Sequence, residues 1–184
     1  MKDLGLLVLR FTAGGLLAGH GAQKLFGRFG GDGLDGTAGF LESIGFKPGR
    51  PWAILAGLSE LGGGALTALG LGGPLGPIAT LGSMAMATAT VHRGKPIWAT
   101  EGGAELPVMY MAAATAVALS GPGRYSLDRL LRINKVPRRL SFLALVATAA
   151  GIGFGLARQR RSAMADKQRA QKQPKQDTQK RRAA

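Results

Sequence analysis

The sequence predicts an all-α fold: a transmembrane helical bundle with a four-helix core, a fifth apolar helix and a disordered, basic C-terminal tail. Three observations carry this. Five apolar runs approach the roughly 20 residues that a bilayer crossing requires. Only 18% of the 184 residues are charged, and most of those charges fall between the runs. Runs such as 53–71 show almost no polar face at helical spacing, which a soluble bundle needs in order to meet water. Backbone groups in hydrocarbon must satisfy one another, so the runs are helices and not strands.

The first run, Leu4 to Ala22, is interrupted by Arg10 and His20. Lys2 precedes it as in a signal peptide, but Arg10 breaks the apolar region and no small-x-small cleavage site follows, so the run is expected to stay as a membrane helix. Residues 23–50 form a loop punctuated by Gly27, Gly30, Gly31, Gly33 and Gly36. Within it, Thr37 to Ile44 suits a short amphipathic helix carrying Phe40, Leu41 and Ile44. Pro51 opens the second run, to about Leu71, and proline fits a first helical turn. After the turn Gly72-Gly73-Pro74, the third run covers Leu75 to Val91 and ends at His92-Arg93-Gly94-Lys95-Pro96. The fourth, Ala104 to Ser120, stops at Gly121-Pro122-Gly123.

Residues 124–139 carry six basic side chains and one acidic one, and Leu140 to Ala157 is a fifth run of 18 residues. The chain therefore divides into a four-helix membrane core (1–128), a basic loop with the fifth apolar segment (129–157) and the tail (158–184). The tail holds ten Lys/Arg, two Asp/Glu and no aromatic residue. It cannot bury enough apolar surface to fold by itself, and its charge is expected to attract anionic lipid headgroups.

Composition also excludes. Without Cys there is no disulfide, thiol nucleophile, Cys-ligated zinc or Cys-held iron–sulfur cluster, and no intrinsic cofactor is expected. The net charge of +14 resides in loops and tail, with no basic recognition helix or aromatic platform, so specific nucleic-acid binding is not expected.

Ionisable residues inside apolar runs are costly and default to functional hypotheses. The candidates are Arg10, His20, Lys24, Glu60, His92 and Glu105. Arg10, His20 and Lys24 form a stripe on the first helix, because separations of 14 and 4 residues return near the same face. Parity places the ends of the first and third helices, and the starts of the second and fourth, on one side of the membrane. His20, Lys24, His92 and Glu105 thus share a face, and Glu60 lies about 13 Å below Pro51. These groups can line a polar pocket. Each also has a bland explanation: Glu60 paired with Arg10, Lys24 reaching to headgroups, Glu105 favouring a helix start, and histidines solvated near an interface. The glycines around Glu60 (Gly57, Gly62, Gly63, Gly64) and on the first helix (Gly14, Gly15, Gly21) fit close helix packing, or else a cavity for a flat ligand.

Several of these stretches resemble the DoxX family of small bacterial membrane proteins: His20-Gly21-Ala22-Gln23-Lys24-Leu25-Phe26-Gly27, Gly36-Thr37-Ala38-Gly39-Phe40, Gly57-x-x-Glu60-x-x-Gly63, His92, Gly102-Gly103-Ala104-Glu105 and Gly121-Pro122-Gly123-Arg124-Tyr125-Ser126-Leu127-Asp128. The resemblance covers about residues 4–128. It implies a four-helix core in a bacterial plasma membrane. Some relatives are linked to oxidoreductase assemblies, including a subunit of a thiosulfate:quinone oxidoreductase and a membrane partner of superoxide dismutase and a sulfurtransferase.

The function expected on these grounds is a membrane subunit of a redox-linked complex, with a quinone as candidate ligand of the polar pocket and soluble redox proteins as partners. The alternative is a non-enzymatic scaffold that recruits soluble partners through its tail. Haem held by His20 and His92 is weaker still, since two histidines alone are a poor warrant. No catalytic residue or metal ligand is assigned. Orientation is contested: four spans keep residues 124–139 and the tail together, whereas five spans separate them and favour an outside amino terminus. A re-entrant fifth segment escapes the conflict. A cytoplasmic tail is expected in either arrangement.

Overall fold

The computed structural model describes residues 1–133 and 136–183, with the backbone alone at residue 167 and from residue 171 onward. Its helices are α1 (Lys2–Phe26), α2 (Gly33–Ser43), α3 (Gly49–Leu69), α4 (Leu75–Thr90), α5 (Glu105–Ser120), α6 (Leu127–Leu130) and α7 (Arg138–Ala183), with 3-10 turns at Arg28–Gly30 and Ala99–Glu101. The described residues contain no strand. The expected amphipathic segment is α2, beginning four residues earlier than the sequence suggests.

The bundle is built on the antiparallel pair α1 and α3; α4 packs on α3, α5 on α4, and α5 returns to α1. What lets α1 and α3 approach is the absence of side chains at Gly14, Gly21 and Gly64. A Cβ on Gly14 would sit 2.5 Å from the Ala68 amide nitrogen and 2.6 Å from the Gly64 carbonyl oxygen, and one on Gly64 would sit 2.5 Å from the Ala18 nitrogen. Of the glycines around Glu60, three serve close packing: Gly57 receives the Leu25 side chain, Gly63 faces Ala79 and Gly76 of α4, and Gly64 meets α1, whereas Gly62 has nothing within 4 Å. Buried hydroxyls in this seam are satisfied within their own helices, Thr67 donating to Gly63 O at 2.7 Å and Thr80 to Gly76 O at 3.2 Å.

The large apolar side chains point the other way. Leu4, Phe11 and Leu16 of α1, Leu55 and Leu58 of α3, Leu106 and Met109 of α5 and Phe142 and Leu143 of α7 are all exposed. Small residues inside and large apolar residues outside are the arrangement of helices solvated by lipid, whereas a soluble monomer rarely exposes apolar patches of that extent. By length and hydropathy α1, α3 and Arg138–Ala170 of α7 can each cross a membrane, and α5 is a shorter apolar helix of 16 residues.

α7 departs from expectation in two ways. It lies along α4, with Thr148 against Gly82, Gly155 against Met86 and Trp52, and Gln159 and Ala163 against Gly45. It thus runs the thickness of the bundle from the α6 end to the α2 end as one continuous helix. Nor does the helix stop at Ala157 to give way to disorder; it continues unbroken to Ala183. Docking explains the continuation at its start. Gln159 Nε2 donates to Ile44 O at 2.8 Å, Arg158 to Lys47 O at 3.3 Å, and Lys47 pairs with Asp166 at 2.6 Å. Arg, Gln, Ala and Lys are good helix formers, so an anchored helix propagates through the residues that precede Pro174.

Candidate functional site

The bundle has two ends. At one lie the last turn of α1, α2 and the starts of α3 and α5; at the other lie the end of α3, the start of α4 and the segment 121–131. The six ionisable residues singled out above divide between these ends.

Glu60 stands on the third turn of α3, roughly 16 Å from Gly49 along the axis, and is 4% exposed. Its Oε2 accepts from Lys24 Nζ at 2.5 Å, and the lysine side chain remains one-third exposed. The α1–α3 register dictates this partner: Gly21 packs on Gly57 and Leu61, so the lysine three residues further along α1 reaches α3 one turn from Gly57. The Lys24 carbonyl also accepts from Thr37 Oγ1 at 3.3 Å, tying α2 to the site.

His20 lies at the exposed edge, its Nδ1 2.9 Å from Gln23 Oε1. Gln23 Nε2 donates to Phe29 O at 3.1 Å, which orients the amide so that its oxygen faces the imidazole. Nδ1 therefore donates to that oxygen. The ring meets Tyr110 of α5 edge-to-face at 6.3 Å. Tyr110 is the member that sequence reasoning missed. The available signal was its place five residues after Glu105 on α5, one of only two tyrosines in the chain.

His92 and Glu105 occupy the same end but are committed to the loop between α4 and α5. His92 Nδ1 donates to Gly102 O at 2.7 Å, and Glu105 Oε2 accepts from Ala99 N at 2.8 Å. They shape the cover of this face, and no hydrogen bond or ion pair joins them to the Lys24–Glu60 pair among the described residues.

Arg10 sits at the opposite end. Fourteen residues share a helical face with Lys24 but separate the two by about 21 Å along α1. Arg10 is 2% exposed and donates to Ala68 O and Tyr125 O. Nearby, Asp128 accepts from Gly72 N at 2.9 Å and Gly73 N at 2.8 Å, while Ser126 caps α6 through Arg129 N. The Gly-Pro-Gly-Arg-Tyr-Ser-Leu-Asp motif is thereby the clasp that fastens the α5–α6 connection over the α3–α4 turn.

The chemistry available at the first end is that of a carboxylate, an ammonium, a phenol and an imidazole. A family model described as DoxX matches residues 5–93, the stretch that supplies His20, Lys24, Glu60 and His92. The chain carries a DoxX domain. It is an integral membrane protein of the DoxX type, by that match and by its apolar helices. The match ends before Glu105, Tyr110 and the 121–128 clasp. No curated protein and no solved structure matches the chain.

Proposed function

We propose that this DoxX protein is a membrane subunit of a redox-linked assembly, and that its Lys24–Glu60 pair, with His20 and Tyr110, binds the headgroup of a quinone. The observation that carries this is the ion pair itself. A carboxylate 4% exposed and placed inside the bundle incurs a desolvation cost that packing does not require, since glycines on either side already seat the helices. One edge of the pair is open through Lys24 and His20. A quinone carbonyl arriving there meets a hydrogen-bond donor in the lysine, with the Tyr110 phenol beside His20, and Glu60 would relay a proton to the ring as a redox partner in the assembly supplies the electrons. Quinones are lipid-soluble, so the half-open edge needs no aqueous channel.

The test is titration of the purified full-length protein in lipid nanodiscs with a short-chain quinone, followed by tryptophan fluorescence. Glu60→Gln and Lys24→Met are each expected to weaken binding about tenfold, the loss of one charge-assisted hydrogen bond, with insertion and yield unchanged. Wild-type affinity in Glu60→Gln removes the carboxylate from the proposal.

A second role rests on a different observation, the exposed arginines Arg158, Arg160, Arg161 and Arg169 on a helix that projects beyond the bundle. That surface suits recruitment of an acidic soluble partner or of anionic headgroups. Deleting 158–184 should abolish partner capture while sparing quinone binding.

Charge also proposes an orientation. The face with Lys24 and Glu60 holds Lys24, Arg28, Lys47, Arg50, Arg93 and Lys95 besides ten basic residues of 158–184, against Lys2 and six basic residues at 124–139 on the other. The positive-inside rule makes the first face cytoplasmic, in what we take to be a bacterial plasma membrane.

A further inference from the structure

At the end of the bundle remote from Glu60 lies an open groove of about 650 Å³. Its walls are α1, the last turn of α3 and the 124–130 segment. Three arginines line it: Arg10, Arg124 and Arg129. None takes part in an ion pair among the described residues, and no carboxylate lines the groove. The neighbouring acids are already spent on backbone donors, Asp128 on the amides of Gly72 and Gly73 and Asp3 on that of Arg124. Arg10 is almost wholly buried, and its Nε finds no hydrogen-bond acceptor among the described residues. An uncompensated, partly unsatisfied guanidinium in such a place needs an anionic acceptor. Around the cations the lining is apolar and outward-facing, with Phe11, Leu69 and Leu130 all exposed.

We propose that this groove holds one anionic phospholipid, its phosphate between Arg10, Arg124 and Arg129 and its acyl chains along Phe11, Leu69 and Leu130. Two observations select a lipid over a soluble anion: the rim of the groove is apolar and exposed, and two of its walls, α1 and α3, are helices long and apolar enough to cross a membrane. Arginine suits the phosphate because its planar fork donates two parallel bonds. The site also gives a role to two of the six basic residues at 124–139, Arg124 and Arg129. It is independent of the Lys24–Glu60 site and of the diffuse attraction of the tail.

The experiment reconstitutes the full-length protein into vesicles of equal phosphatidylglycerol and phosphatidylcholine, re-extracts it in mild detergent and counts retained lipids by native mass spectrometry. Wild type should retain a single phosphatidylglycerol. The double variant Arg124→Gln/Arg129→Gln should lower that occupancy about tenfold. Leu130→Trp, which fills the groove with every arginine in place, should do the same. Arg158→Gln/Arg160→Gln/Arg161→Gln should leave it unchanged. All these positions are exposed, so thermal unfolding should match wild type. Equal retention of both lipids, or phosphatidylglycerol retained in both groove variants, overturns the proposal. So does full displacement by millimolar inorganic phosphate, which would make the groove a site for a free anion.

Discussion

Arg10 shows what a single buried cation does in this bundle. Its guanidinium ties α1 to the last carbonyls of α3 through Ala68 and to the α5–α6 connection through Tyr125. Gly70, in the left-handed region at φ 63°, turns the chain there because a Cβ would meet the Arg10 Nη1 at 2.7 Å. Arg10→Met should therefore destabilise the protein by about 2–3 kcal/mol, two charge-assisted bonds less the relief of desolvation; thermal unfolding in detergent measures it. Arg10→Lys should recover only part of the loss, since an ammonium cannot reproduce the fork. Lys24 behaves differently. One-third exposed, it can retract toward headgroups if Glu60 is removed, so Glu60→Gln should shift the unfolding temperature little while acting on ligand binding. A large drop in stability for Glu60→Gln would make the pair structural.

Among elements, the α1–α3 seam is the most sensitive. Gly14 and Gly21 meet backbone atoms of α3, not flexible side-chain ends, and backbone cannot yield by a rotamer change. Gly21→Leu should separate the helices, move Lys24 from Glu60 and cost about 3 kcal/mol or more. Gly15→Leu, where nothing lies within 4 Å, should be tolerated in the same assay. Gly14, Gly15 and Gly21 look alike in sequence; only the helix opposite tells them apart. α7 is held by weaker means. Trp52 stacks on Phe154 at 6.2 Å and Phe46 meets Trp52 at 5.2 Å, and the polar bonds near Ile44 and Lys47 are largely exposed, where such pairs contribute little. Phe154→Ala should loosen α7, read as faster proteolysis within 158–170, with the Lys24–Glu60 pair unaffected.

For the whole molecule, α7 runs along α4 from the α6 end to the α2 end, so a membrane crossed by the whole bundle would have the amino terminus and the tail on opposite sides. The chain has no Cys, so single-cysteine labelling with a membrane-impermeant maleimide gives a clean answer. Gly30→Cys and Ser162→Cys should label from the same side, and Arg132→Cys from the other. Labelling of Arg132→Cys and Ser162→Cys from one side would mean that α7 does not cross. The two ends then have distinct chemistry: an acid–base site and a projecting basic helix at one, an arginine-lined groove at the other.

The sequence by itself determined the solvent, the number of apolar helices and their approximate limits, because span length, hydropathy and glycine punctuation are properties of consecutive residues. It also determined that Lys24, His20 and Glu60 lie toward one end, because parity follows from counting crossings. Only the tertiary structure decided that Glu60 pairs with Lys24 and not Arg10, that Tyr110 joins His20, and that His92 and Glu105 are absorbed by their loop. It alone carried α7 past Ala157 along α4. Each of these depends on the register between helices distant in the chain. Register is set by which glycine meets which backbone, and that is a property of two surfaces together, written in neither of them alone.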